Sequence, residues 1–295
     1  FVAEAASRLV KLHGRHGAEK AWMPRGTQDP WHRDGAFFGW DDASGTAVTA
    51  ERRVYMSGLS DEAGAGAGLA MALKQVGSPD PDEIAKLEEY VNSTLYQGSH
   101  PDRGRFLQSS ADHSVRLSQL FWTDELNDPS SAKGRAATAF APALARVCRS
   151  CWPKHCSWMD CWSEEHSLET WRAYNYPHVT AVYWSLYRVA RWTTPALTKR
   201  ADWRWYLTRA QKTAMALWTH GGDPWRKKPD GTCCAAGGGT GTAQWGVMVG
   251  SVFERITSDL EREVEGAAAL APAQAAAAAS SPSAAAAASS SSSSS

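Results

Sequence analysis

Paired carboxylates and a dense run of aromatic and polar side chains are the groups in this sequence that could do chemistry. Asp61 and Glu62 stand at the head of a glycine-rich segment. A carboxylate so placed can act as a general acid or base. Glycoside hydrolysis takes two such groups: one protonates the leaving oxygen, and the other attacks or activates water. Adjacent helical residues diverge by about 100°, so Asp61 and Glu62 cannot easily flank one bond together. One faces a site while the other caps the helix, or both serve only as cap and first-turn charge. A partner must come from elsewhere, and Asp41, Asp42, Glu164, Glu165 and Glu169 are available.

The run Trp171-Arg172-Ala173-Tyr174-Asn175-Tyr176-Pro177-His178-Val179 is the second candidate. Pro177 disfavours a helical Tyr176 and suits the first turn of a helix. The sequence therefore predicts a break there and a restart. Helix starts are where polar side chains and backbone N–H groups meet ligands. Arg172, Tyr174, Asn175, Tyr176 and His178 become candidate substrate-binding residues, His178 as a group that binds a sugar hydroxyl or positions a carboxylate. The alternative is that Tyr174, Tyr176 and His178 are core residues hydrogen-bonded to neighbouring helices. Residues 21–49, rich in Gly, Asp, Pro and Trp, read as a long loop of the kind that often carries function; it adds Trp40, Asp41 and Asp42. The chain holds 15 tryptophans. Indoles stack on pyranose rings and donate through their N–H, although most will fill helix–helix contacts.

Four thiols fall close together, Cys148-x2-Cys151-x4-Cys156-x4-Cys161, with His155 among them. The spacing could wrap a tetrahedral zinc. It could equally form two local disulfides in an oxidising compartment, or remain as free thiols. Zinc is the less favoured of these, so no cofactor is expected. An extracellular or secretory setting is favoured. Cys233 and Cys234 are adjacent and cannot easily pair with each other.

The elements that position these groups are mainly helical. Apolar spacing and capping signals predict helices over residues 2–14, 60–76, 81–96, 110–121, 131–148, 167–173, 179–192, 198–219 and 244–265. Asp80-Pro81-Asp82-Glu83 is a capped start, with Glu83 placed to complete a capping box. Gly64, Gly66 and Gly68 lie inside a predicted helix at about 1 kcal/mol each against alanine, so something must pack very close to that backbone. The helix after Pro177 is aromatic on several faces and belongs to an inner layer. Residues 221–241 are glycine-rich loop. From residue 267 the chain is Ala, Ser and Pro only, predicted disordered or at best fleetingly helical.

Net charge is zero, with 31 acidic and 31 basic residues. Long-range attraction to nucleic acid or to an anionic membrane is not indicated. No apolar run approaches the roughly 20 residues that span a bilayer. The oligomeric state is left open.

The segments Arg53-Val54-Tyr55-Met56-Ser57-Gly58-Leu59-Ser60-Asp61-Glu62-Ala63-Gly64-Ala65-Gly66, Tyr174-Asn175-Tyr176-Pro177-His178-Val179, Tyr183-Trp184-Ser185-Leu186-Tyr187-Arg188, Trp205-Tyr206-Leu207 with Thr213-Ala214-Met215-Ala216, and Gly246-Val247-Met248-Val249-Gly250-Ser251-Val252-Phe253 stand out as motifs. They resemble domain of unknown function family 5695, a glycosidase-like family of the six-hairpin superfamily. The likeness spans about residues 37–265. It implies an all-α (α/α)6 toroid of helical hairpins, incomplete in this chain, over residues 1–266, with a separate tail over 267–295. The chain resembles the C-terminal part of a longer family member. The resemblance implies the fold more firmly than a reaction; on such a fold a glycan substrate and carboxylate acid/base catalysis are expected, with Asp61 and Glu62, at the head of their glycine-rich helix, as first candidates in one cavity with Tyr174, Tyr176 and His178. Toroidal lyases commonly use tyrosine and histidine with a group that neutralises a uronate, and Arg172, Tyr174, Asn175, Tyr176 and His178 supply those groups. A non-catalytic carbohydrate-binding or structural toroid remnant is the third possibility.

Overall fold

A computed structural model describes residues 22–23, 36–37, 40–41, 43–44, 46–47, 65–96, 98, 106–116, 130, 168–223, 235–236 and 250–280. Helices dominate them. In chain order the described elements are β1 (Trp22–Met23), β2 (Ala36–Phe37), β3 (Trp40–Asp41), β4 (Thr46–Ala47), α1 (Ala65–Gly77), α2 (Pro81–Tyr90), a π-helical turn (Val91–Leu95), α3 (Asn175–Trp192), α4 (Trp203–His220), β5 (Gly222–Asp223), β6 (Ala235–Ala236) and α5 (Gly250–Ser280). The strands are two-residue antiparallel pairs, β1 with β2, β3 with β4 and β5 with β6. Among the described residues, no helix is long and apolar enough to cross a membrane.

α3 is the centre. Every side chain from Asn175 to Tyr187 is buried, including Tyr183, Trp184 and Tyr187. A helix buried all round lies inside a helical layer, as its aromatic faces predicted. α1 and α4 both pack on it, and α1 also meets α2. The predicted break at Pro177 does not form. α3 begins at Asn175 with Tyr174 as its cap residue in helical conformation, so Pro177 is its third residue. The first four N–H groups of a helix have no intrahelical acceptor, and proline there forfeits no bond. The segment before it is not a helix up to residue 173. Leu168 is helical, but Arg172 pairs with Gly222, whose N–H donates to the Trp171 carbonyl at 2.7 Å.

Asp80 caps α2 as predicted, accepting from the Asp82 and Glu83 N–H groups at 3.0 and 3.2 Å. Glu83 does not complete the box. Its carboxylate takes the Lys74 ammonium and, at 2.6 Å, the Gln75 amide, while Gln75 Oε1 accepts the Asp80 N–H at 2.7 Å. Lys74 is buried, and a buried ammonium without a counter-charge costs more than one cap bond. The predicted helix 81–96 is covered by α2 and the π turn together. Gly68 shows why glycine stands in α1: a Cβ there would lie 2.9 Å from Cε1 of the buried Tyr90 ring. The close neighbour is thus an α2 side chain.

Residues 110–116 form no helix. Gln108 and Val115 bridge antiparallel, with Ser109 N–H to Ser114 O at 3.0 Å and Arg116 N–H to Leu107 O at 2.8 Å. Ser109 Oγ accepts the Ala111 N–H and Asp112 Oδ1 the Ser114 N–H. Such short polar side chains bind nearby backbone and compete with a helix. α4 starts at Trp203, later than the predicted residue 198 or 199, because Asp202 Oδ1 caps the Trp205 N–H at 2.9 Å.

α5 continues through the alanine-rich segment to Ser280, beyond the predicted end at residue 265. Alanine has the highest helix propensity. The compact units are Phe1–Phe253 and Glu254–Ser295, so their division falls inside α5. In the second unit Ile256 and Asp259 are buried, and Arg262 pairs with Asp259. The helices predicted over residues 2–14 and 131–148, and residues 281–295, lie outside the described residues.

Candidate functional site

The π turn widens the helix after α2 and delivers Tyr96 beside the segment that joins α3 to α4. That joining segment is tied back to α2 by Glu88. Its carboxylate accepts the Lys199 N–H at 2.9 and 3.1 Å, the Arg200 N–H at 3.0 Å and the Tyr206 hydroxyl at 2.7 Å. Burial and the Glu88 charge hold the Tyr206 phenol protonated, far above the usual tyrosine range. Between these parts lies a cavity of about 410 Å³. Glu88, Asn92, Tyr96, Arg200, Asp202 and Trp205 line it, with Gly98 in the left-handed region at φ 59°. Tyr96 and Trp205 meet edge to face at 5.5 Å, and Trp205 also meets Tyr183 and Tyr206 at 5.9 and 5.1 Å. The wall is therefore a braced aromatic cluster with polar groups around it, the composition of a small-molecule site. Asp202 is the open carboxylate, its side chain 61% exposed.

Behind Tyr96 is the tip of the 106–116 hairpin. Gln108 fixes that hairpin inside the fold: Tyr183 donates to its Oε1 at 2.8 Å, and its Nε2 donates to Thr213 Oγ1 at 2.7 Å and to the His113 carbonyl at 3.0 Å. His113 is buried and adopts φ 61°. That conformation is uncommon outside glycine and clusters at functional sites at a cost of about 1–3 kcal/mol. Its ring lies parallel to Tyr96 at 6.2 Å, and its Nε2 is 3.4 Å from Arg209 Nη1. The Arg209 guanidinium sits over Tyr96 at 4.6 Å and Trp205 at 5.1 Å. Burial, then Arg209 and Lys212, hold the His113 imidazole below its usual pKa against the pull of Asp112. Burial likewise raises the Tyr96 phenol, although Arg209 opposes it. Burial works against ionised Asp112, but bonds from Ser114 and Ser109, and the charge of His220, hold its carboxyl low; His220 Nε2 lies 3.6 Å away.

The model of DUF5695, a family of unknown function, matches residues 1–276. The chain belongs to DUF5695. The match extends on both sides of the 37–265 likeness read from the sequence. No curated protein and no solved structure matches the chain.

In the segment 171–179, Arg172 and Tyr174 are half-buried and the other residues are buried. Tyr176 and Asn175 are fully buried and His178 nearly so. Tyr176 donates to the Thr170 carbonyl at 2.8 Å, Asn175 Nδ2 to the Arg116 carbonyl at 2.6 Å, and His178 Nδ1 to the Tyr174 carbonyl at 2.9 Å. Burial puts the Tyr176 phenol well above the usual tyrosine range. Arg172 stacks over the Tyr174 ring at 5.9 Å. None of these five lines the cavity. Asn175 ties α3 to the hairpin, Tyr176 ties it to the residues before it, and His178 bonds back to the start of the helix. Glu169 accepts from the Trp171 indole.

Asp61, Glu62, Asp42, Glu164 and Glu165 lie outside the described residues, as do Cys148, Cys151, Cys156, Cys161, Cys233 and Cys234. Trp40 and Asp41 form β3. Among the described residues, no group of three His, Cys, Asp or Glu side chains could hold a metal. The sequence pointed to none of Glu88, Asn92, Tyr96, His113 or Arg209. Glu88 stands next to Glu89 on a charged helix, where nothing local sets it apart. Asp202-x-x-Trp205-Tyr206, a cap beside aromatics, was the available signal.

Proposed function

We propose that this DUF5695 protein is carbohydrate-active and acts on a glycan by glycoside hydrolase-like carboxylate chemistry. The aromatic-walled cavity of about 410 Å³ carries the proposal. Pockets of about 300–1,000 Å³ hold drug-sized ligands. Tyr96 and Trp205 offer ring faces and edges for the apolar side of a pyranose, while Asn92, Arg200 and Asp202 offer groups for its hydroxyls. Glu88 makes a poor proton shuttle, because its oxygens are held by three donors. It acts as a fixed negative charge and an anchor. The general acid and base are then sought among Asp61, Glu62 and the cavity carboxylate Asp202. A toroid of helical hairpins is part of the same proposal: α3 and α4 are consecutive, packed and joined by a short segment, and α1 and α2 are as well.

The test is turnover of the full chain, and of a longer parent if one exists, on an aryl-glycoside and oligosaccharide panel with Asp61→Asn, Glu62→Gln and Asp202→Asn. Asparagine caps a helix as well as aspartate, so Asp202→Asn separates chemistry from capping. Loss of a general acid or base lowers the rate about 10²–10⁴-fold. If all three variants match the parent, carboxylate hydrolysis is wrong.

One observation favours a lyase as the second possibility. A tyrosine, a histidine and an arginine do come together, at Tyr96, His113 and Arg209 in place of residues 172–178. With its pKa lowered, His113 is neutral near pH 7 and can take a proton, and the protonated Tyr96 can donate one. Unsaturated products absorbing in the ultraviolet would identify that reaction. Glycan binding with no turnover would leave a non-catalytic binding protein.

A further inference from the structure

We infer that Arg209 is an acid-released cover on the aromatic wall of the cavity: it lies over Tyr96 and Trp205 while His113 is neutral, and swings off them when His113 takes a proton. Such a cover acts whatever ligand the cavity takes, and so is independent of the carbohydrate proposal.

The contact between the two side chains sets the switch. Guanidinium has donors only, so His113 Nε2 accepts in its 3.4 Å contact with Arg209 Nη1. Only the neutral imidazole keeps a ring nitrogen that can accept. A proton on Nε2 turns that acceptor into a donor and sets two cations face to face. No carboxylate is at hand to hold Arg209 in place: among the described residues, its guanidinium meets His113 and the rings of Tyr96 and Trp205, at 4.6 and 5.1 Å. The surroundings of His113 set the poise. Burial opposes its proton most, then Arg209 and Lys212 from α4, while Asp112 beside it in the hairpin favours it. From the residues after the π turn, Tyr96 faces it as an uncharged phenol, its pKa raised by burial.

Arg209 is the part that moves, because the hairpin tip is pinned. The His113 carbonyl accepts from Gln108 at 3.0 Å, and Gln108 is itself held by Tyr183 and Thr213. Asp112 accepts from the Ser114 hydroxyl at 2.7 Å and N–H at 3.0 Å and faces His220 at 3.6 Å. A charged His220 draws that carboxylate harder and pins the tip more firmly. Arg209 has no such ties. It is half-buried on α4 between the exposed Thr208 and Lys212, where a long side chain can keep its stem on the protein and carry its charged head into water. Its departure takes the cation from two rings that line the cavity. Trp205 still meets Tyr183 and Tyr206, so the loosening falls mainly on Tyr96.

The experiment follows the full chain by magnetic resonance as pH falls from about 8 to about 5, across the ordinary histidine range, reading the His113 imidazole, the Tyr96 ring and the Trp205 indole. The two ring signals are expected to move together with the His113 signal, at one midpoint below about pH 6.5. In His113→Asn the new side chain tolerates the left-handed backbone and takes no proton, so both ring signals should stay constant over the same range. Lys212→Gln should raise the common midpoint of all three signals. Lys212 is exposed, so this second variant keeps the inference testable should His113→Asn fold poorly. Ring signals that stay constant while His113 titrates, or that titrate unchanged in His113→Asn, overturn the inference. So does a loss of amide protection through the whole chain before His113 takes its proton, because that is acid unfolding and not a local release.

Discussion

Glu88→Ala should both destabilise the protein and loosen the cavity. The substitution strips the acceptor from the Tyr206 hydroxyl and from the Lys199 and Arg200 N–H groups. Tyr206 is 1% exposed, so its hydroxyl bears the full cost of an unmet buried donor, about 1–3 kcal/mol. Lys199 and Arg200 are exposed residues. Water can reach their N–H groups, which places each at about 1 kcal/mol, the low end. The total is about 3–5 kcal/mol, the range for breaking a buried charged partnership. Glu88→Gln keeps one carbonyl oxygen for all three donors and should cost about 1–2 kcal/mol, since a bond to a neutral acceptor is weaker. Urea unfolding with an unchanged slope measures the loss, and hydrogen exchange at the Lys199 and Arg200 amides reports local release. An alanine variant as stable as the parent, with unaltered exchange at both amides, would refute the anchoring role.

Two further outcomes follow from the packing and the charges. Gly68→Ala sets an overpacking cost of about 1–3 kcal/mol against a propensity gain of about 1 kcal/mol. It should be neutral to destabilising, by about 0–2 kcal/mol, and should cost less beside Tyr90→Leu; a stabilised single variant would show that Tyr90 yields freely. His113 binds protons more weakly folded than unfolded, so its contribution is fully present above about pH 6.5, the unfolded value, and is lost as pH falls below that. Replacing it by asparagine, which tolerates the left-handed conformation, should flatten the fall in stability between about pH 7 and 5 in urea unfolding; an identical pH profile would contradict the assigned shift.

The helical class, the Asp80 cap, the inner position of α3 and the close approach at Gly68 were legible because each is a local or periodic signal. The site was not. Glu88 takes its meaning from residues 199, 200 and 206, more than a hundred positions away, and no spacing rule reaches that far. The 171–179 run is ambiguous in sequence for a related reason. Tyr, Asn and His serve a pocket wall and a hydrogen-bonded core alike, and only the acceptors, the carbonyls of Thr170, Arg116 and Tyr174, distinguish the two. The 110–116 segment looked helical by apolar spacing, yet Ser109 and Asp112 bind their own backbone and turn the chain. Proline misled at position 177 because its cost depends on how many residues of helix precede it, and here only Asn175 and Tyr176 do.

The most direct test of the cavity as a glycan site is calorimetric titration of the folded full chain with a panel of neutral and acidic oligosaccharides, in parallel with Trp205→Ala. The cavity account predicts saturable binding of at least one glycan and a loss of about two- to twelve-fold in affinity for Trp205→Ala, the fold-change to which the about 0.5–1.5 kcal/mol that aromatic contacts add beyond buried area converts. A folded Trp205→Ala variant that binds the same glycan with parental affinity would contradict it.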